Sequence, residues 1–252
     1  MRAIDLNADV GEGAATDAAI IACVTSANIC CGAYAGDERT LTAAVEAAIR
    51  HGVAIGAHPG HADRAHLGRR PIALSPAEAA DLVASQVGQL ESIVATLGGV
   101  VAYIKPHGAL YHQLAADRSL ADAVAERLAA WPRPLAVVGS PRSALVEAAG
   151  AAGLTAIREG FADRAYLADG SLASRATDGA VLRDPETAAA QAVALALGEP
   201  IRTLDGGVWR AECDTLCVHG DTPGAGAIAR AARAALKAAG FRLEAFGGSP
   251  GG

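Results

Sequence analysis

Aromatic side chains are scarce in this sequence: Phe, Trp and Tyr together make up 4% of the 252 residues, and there is a single methionine. A core built without them must pack on small and aliphatic side chains. Apolar residues, at 52% of the chain, are abundant enough to exclude a disordered polypeptide. Positive charge is also in short supply, with 21 Lys and Arg against 27 Asp and Glu and a net charge of -6. That balance excludes the basic face on which nucleic acid phosphates would dock. No run of about 18 apolar residues escapes interruption by charge or glycine, so no membrane span is expected. Five cysteines (Cys23, Cys30, Cys31, Cys213 and Cys217) form no CxxC pair and are odd in number, which fits free thiols in a reducing cytosol and not a disulfide framework. Arg2 and Asp5 stand where a signal peptide would need an unbroken apolar stretch, so a cytoplasmic location is expected. The pattern GxxxxGK[ST] is missing, and the glycines from Gly220 to Gly226 have no lysine in the required place, so any nucleotide must be held by another device or by a partner.

What the sequence does contain is an alternation of short apolar runs with longer helical stretches, the sign of parallel β/α units. Strands are predicted over residues 2–8, 24–30, 53–57, 100–105, 135–139, 155–159 and 214–218. Helix starts are legible at Ser75-Pro76-Ala77-Glu78, a capping-box spacing with proline at the first helical position, and at Asp184-Pro185-Glu186. The helix after residue 222 is expected to end at Gly240. Residues 1–246 are expected to form one domain, with 247–252 a loose tail. The predicted fold class is α/β, a TIM-like parallel barrel that is seven-stranded or distorted, with a doubly wound open sheet as the runner-up. Strand faces favour the barrel. Asp5, Asn7 and Asp9 share one face of the first strand while Ile4, Leu6 and Ala8 share the other, and a polar inner face is expensive unless it is used. Tyr103, Lys105 and His107 oppose Ala102 and Ile104 in the same way, as do Thr215, Cys217 and His219 against Leu216 and Val218.

Ionisable residues crowd the carboxyl ends of these strands, the end where such barrels build active sites. Asp9 and Glu12 follow the first strand, Tyr34 and Asp37 the second, and His58, Asp63 and Arg64 the third. Lys105 and His107 follow the fourth, Glu159, Asp163 and Arg164 the sixth, and His219 and Asp221 the last. Asp9, Glu12, Lys105, His107 and His219 are the catalytic candidates, since carboxylates and imidazoles can orient water or carry protons and an ammonium can stabilise developing negative charge. Arg64 and Arg164 could each hold a substrate carboxylate bidentately, or could fix loops through Asp63 and Asp163. Asn7, His58 and Asp221 complete the substrate-binding candidates, although Asn7, like Asp5, equally suits hydrogen bonds inside a barrel. Cys217 reads as a packing thiol. His58, His107 and His219 arise from three strands without an HxH or HExxH spacing, so no metal ligands are assigned among them.

Six segments together resemble the LamB/YcsF family: Asp5 to Glu12, Ser26 to Gly32 with Ala35 to Asp37, Gly56 to Pro59, Lys105 to Tyr111, Phe161 to Arg164 with Asp169 to Leu172, and Cys217 to Asp221. The resemblance covers nearly the whole chain in order. It implies a barrel related to the glycoside hydrolase/deacetylase superfamily, and it implies component A of an ATP-dependent 5-oxoprolinase, a hydrolase that opens 5-oxo-L-proline to L-glutamate with separate B and C subunits. On that footing ATP would phosphorylate the lactam oxygen, Lys105 and His107 would stabilise charge there, and Asp9, Glu12 or His219 would position water. ATP with magnesium is the expected cosubstrate. Two departures stand out. Tyr34, after Ala33, occupies the place of a family histidine, so no transition metal is expected. Gly60-His61-Ala62 replaces the usual Ser-Phe-Pro before Asp63-Arg64. Two other readings compete: a stand-alone metal-dependent amidohydrolase or deacetylase, and a substrate-binding subunit without chemistry of its own.

Overall fold

A computed structural model of the chain describes residues 2–222 and 224–246. Its strands are β1 (Ala3–Val10), β2 (Ser26–Cys30), β3 (Ala54–His58), β4 (Val101–Ile104), β5 (Ala136–Gly139), β6 (Ala156–Phe161), β7 (Ile201–Arg202), β8 (Val208–Trp209), β9 (Thr215–His219) and β10 (Arg242–Leu243). The helices are α1 (Asp17–Ile21), α2 (Glu38–His51), α3 (Pro76–Thr96), α4 (Gly108–Ala116), α5 (Arg118–Ala129), α6 (Ala144–Ala151), α7 (Pro185–Leu197) and α8 (Ala225–Ala238). Six strands pair in parallel from β1 through β6, β9 pairs with β6, and β9 also pairs with β1. The sheet therefore closes into a seven-stranded barrel, which excludes the open doubly wound alternative. The short β10 extends the start of β1 beside β9.

Caps account for several helix starts. Ser75 accepts from Glu78 N while its own N–H donates to the Glu78 carboxylate, and Pro76 opens α3. Asp184 caps α7 through Thr187 N at 2.8 Å. Asp37 does the same for α2 through Thr40 N, so its carboxylate is committed to the helix start. Gly240, at φ 85° just past α8, supplies the left-handed stop. The hairpin of β7 and β8, and β10, were not anticipated, because two-residue strands are too short to show a period. The expected tail, residues 247–252, lies outside the described residues.

The two faces of β1 explain the interior. Leu6, Ala8 and Val10 are fully buried in the apolar layer beneath the helices. Asp5, Asn7 and Asp9 point the other way, into a barrel lumen filled by hydrogen bonds instead of aliphatic layers. Asn7 donates to Glu159 Oε1 at 3.1 Å and Thr215 Oγ1 at 2.7 Å, and Asn28 donates to Asn7 Oδ1 at 2.7 Å and Asp9 Oδ1 at 2.8 Å. Tyr103 donates its hydroxyl to Asn28 Oδ1 at 2.7 Å. Its ring fits only because the facing residue is Gly56, where an added Cβ would collide with the ring.

At the base of this network Asp5 accepts from the hydroxyls of Thr25, Ser26 and Thr215. Burial nevertheless raises its pKa to about 6. An acid raised on folding stabilises fully only below its ordinary value, and that contribution is lost as pH climbs through the raised one. Asp5→Asn is therefore expected to flatten the stability profile between about pH 4 and pH 6 and to be no less stable than the native chain at neutral pH. Denaturant melts across that range check this, and a profile parallel to that of the native chain contradicts it.

Candidate active site

A cavity of about 310 Å³ opens at the carboxyl ends of the barrel strands, lined by Asp9, His58, Lys105, His107, Phe161, Arg164 and His219, with Arg69 and Arg175 on its wall. Each group arrives from the end of a strand or the turn after it. Lys105 N bonds to Ala57 O at 2.9 Å and His107 N to Pro59 O at 2.8 Å, so the segment after β4 is pinned along β3 and its two side chains are aimed with little freedom.

Lys105 is the charge centre. Its Nζ lies 2.9 Å from Asp9 Oδ1, 2.8 Å from Glu159 Oε1 and 3.1 Å from Cys217 Sγ, and 5.3 Å from the centre of the Phe161 ring. Burial alone would depress the amine, but the carboxylates of Asp9 and Glu159 hold its pKa well above the usual lysine value. Asp9 shows the reverse: burial would raise it, yet His58 and Lys105 hold it well below the usual carboxylate range. Burial, and then the charge of Asp9, push the Cys217 thiol far up, which keeps it neutral and argues against a nucleophile.

A second group is built on two histidines. His58 Nδ1 is 2.6 Å from Lys105 O, and His107 Nε2 is 3.0 Å from Leu67 O. Carbonyl oxygens only accept, so each ring carries a proton on that side. The remaining nitrogens, His58 Nε2 and His107 Nδ1, lie 3.0 Å apart. Burial, and then His58, hold His107 well below the usual imidazole value. Tyr34 stacks flat on His107, with ring centres 3.8 Å apart, and donates its hydroxyl to Glu12 at 3.1 Å. Glu12, raised by burial and then by Asp9, stands 3.6 Å from His107 Nδ1.

The third group is a dyad. His219 Nδ1 is 2.9 Å from Asp163 Oδ1, and the other Asp163 oxygen accepts from His219 N and Thr222 Oγ1. Burial would raise Asp163, but His219 holds it below the usual value. With Nδ1 donating to a carboxylate, His219 presents Nε2 as an acceptor. Phe161 lies roughly parallel beneath its ring. On the rim, Arg69 and Arg175 share the single carboxylate of Asp221. Arg164, buried and lowered to about 10 by burial and by Arg175, donates to Ala173 O and Ala180 O.

The structure thus brings Asp9, His58, Lys105, His107, Arg164 and His219 onto one cavity. Asn7 sits below it in the lumen, Glu12 beside the histidine pair, and Asp221 between the rim arginines. Arg64 is not brought in: exposed, it donates to Gly32 O and Gly36 O and ties down the loop after β2. Asp63 pairs with His66 and Arg70 instead of Arg64. Sequence reasoning set Asp163 beside Arg164, whereas its partner is His219. It gave no sign of Arg69 or Arg175, which sit in irregular segments without a period.

The expectation that no transition metal belongs here is overturned. Asp9, His58 and His107, and separately Asp9, Cys217 and His219, bring ligand atoms within 4.8 Å of one another. The expectation rested on the missing short-range spacing and on Tyr34. Ligands from neighbouring strands need no such spacing, and Tyr34 packs on a potential ligand without displacing it. The expected magnesium nucleotide finds no support in the groups around this cavity.

Comparison with known proteins agrees with the geometry. The profile of the LamB/YcsF family matches residues 4–250. The A component of the 5-oxoprolinase of Heliobacterium modesticaldum is 46% identical over 247 residues, 96% of this chain and 97% of that protein. Its counterpart from Nocardia farcinica is 47% identical over 248 residues, 96% of this chain and 99% of that one. The crystal structure of the lactam utilization protein from Thermus thermophilus superposes with a TM-score of 0.89 at 41% identity, covering 98% of this chain and all of that one. A family 4 carbohydrate esterase from Streptomyces lividans, at TM-score 0.51 and 10% identity over 96% of this chain and 91% of that one, shares the fold alone.

Proposed function

Because the chain belongs to the LamB/YcsF family, we propose that its barrel mouth binds 5-oxo-L-proline and opens the cyclic amide, as the A component of a 5-oxoprolinase working with B and C subunits. The observation that carries this reading is the pairing, on one small cavity, of the Asp163–His219 dyad with the rim of Arg69, Arg164 and Arg175. A five-membered lactam bearing a carboxylate asks for both. Guanidinium groups bind the carboxylate, and a fixed imidazole moves protons at the amide.

Water is the nucleophile in this reading. Its oxygen bonds to the lactam carbonyl carbon as His219 Nε2 takes its proton, with Asp163 stabilising the imidazolium that forms. Lys105 faces the charge that gathers on the carbonyl oxygen. The C–N bond then breaks and His219 returns the proton to the departing ring nitrogen, which becomes the amine of glutamate. Atoms and protons balance without a covalent enzyme intermediate.

The rim provides the test. Arg175→Ala removes a partly exposed group that spans no core. It is expected to raise KM for 5-oxo-L-proline about tenfold, the scale of one charged hydrogen bond, with kcat nearly unchanged. Binding of 2-pyrrolidinone, the same ring without the carboxylate, should not respond. Equal weakening of both ligands would remove the carboxylate assignment.

A further inference from the structure

His58 Nε2 and His107 Nδ1 face each other at 3.0 Å, while the other nitrogen of each ring lies against a backbone carbonyl. His58 donates Nδ1–H to Lys105 O and His107 donates Nε2–H to Leu67 O, which turns the second nitrogen of each ring toward the same point. Asp9 adds a carboxylate. Its Oδ1 is taken by Lys105 Nζ and Asn28 Nδ2, while Oδ2 turns to His58 Nε2 at 3.4 Å. Glu12 brings a second carboxylate to 3.6 Å from His107 Nδ1. Ring nitrogens and carboxylate oxygens converging in a buried spot call for a proton or a cation among them.

We propose that His58 Nε2, His107 Nδ1 and Asp9 Oδ2 bind one divalent transition metal of the zinc type, leaving a fourth position open to the cavity. The spacing suits the ion. Ligand bonds of 2.0–2.1 Å in tetrahedral array place donor atoms about 3.3 Å apart, close to the 3.0 Å and 3.4 Å separations here. The outer contacts suit it too, because metal-bound histidines donate their other N–H to a carbonyl or carboxylate, which fixes the tautomer. Tyr34, stacked on His107, locks that ring against rotation. Two imidazoles and one carboxylate with an open position form a donor set fit to polarise a carbonyl or bind water. The rival grouping through Cys217 and His219 is set aside by Lys105, whose ammonium already stands 2.9 Å from Asp9 Oδ1 and 3.1 Å from Cys217 Sγ.

This site stands on ligand geometry and does not rest on the proposed reaction, so its test needs no turnover. The full chain, stripped with a chelator, is titrated with Co(II) and followed by calorimetry and visible absorption. One ion per chain is expected, with the intense bands of a four-coordinate site, and X-ray absorption should show two imidazole ligands. His58→Ala and His107→Ala should each weaken binding at least about a hundredfold, while His219→Ala should bind as the native chain does. Native chain without saturable uptake, or a bound ion lacking imidazole ligands, overturns the proposal even if the alanine variants fail to fold. So does a loss in His219→Ala equal to that in His58→Ala.

Discussion

Lys105→Met is expected to cost the fold about 3–5 kcal/mol, the scale of leaving a buried charge without its partner, and to abolish measurable hydrolysis of 5-oxo-L-proline. The ammonium is 2% exposed and answers two buried carboxylates, Asp9 and Glu159. Removing it strands both. Methionine fills a similar volume, so the loss reports charge and not a cavity. Adding Glu159→Gln to Lys105→Met should recover part of the stability by deleting one stranded charge, without recovering turnover. Denaturant melts and glutamate release on the single and double variants test this. Stability within about 1 kcal/mol of native for Lys105→Met would mean that the lysine is not the counter-charge of the lumen.

Asp163→Asn is expected to lower kcat by roughly a thousandfold or more, the loss seen when a histidine base is left in the wrong tautomer. The isosteric amide keeps the side chain in place. It can still accept from Thr222 and His219 N, so the cost to stability should be small. What changes is the ring. An amide nitrogen facing Nδ1 favours the tautomer with the proton on Nε2, and the acceptor that should take a proton from water is gone. KM should shift little, because Asp163 lies behind His219 and away from the rim. A fall in kcat below tenfold would remove the dyad from the chemistry and leave Asp163 as a turn-fixing carboxylate.

Much of this arrangement is written locally in the chain. The polar face of β1 shows at period two in Asp5, Asn7 and Asp9, and an inward face of that kind has no purpose in a sheet packed on both sides. Ser75-Pro76 and Asp184-Pro185 declare their helices because caps are short-range devices. Lys105 and His107 are recognisable as a pair aimed into the barrel. What stays hidden is pairing across space. Asp163 and His219 are 56 residues apart, and Asp163 stands next in sequence to the arginine it appeared to partner. Arg69 meets Asp221 across 152 residues. The facing nitrogens of His58 and His107 depend on which carbonyl each ring reaches, and ring orientation leaves no trace in sequence. Arg64 misleads for the opposite reason: its neighbourhood resembles a binding loop, but its guanidinium is spent on backbone carbonyls of another loop.

On the proposed reading the barrel mouth of this chain carries the ring-opening chemistry and does not merely present substrate to partners. The most direct measurement is the rate of glutamate release from 5-oxo-L-proline by the chain combined with B and C subunits, with and without ATP, comparing native chain with Asp163→Asn at saturating substrate. Robust release is expected with the native chain and a fall of about a thousandfold with the variant, while the affinity of the variant for 5-oxo-L-proline stays near native. Release that is undiminished at saturating substrate, with any deficit confined to binding, would contradict that reading and assign the chemistry to another subunit.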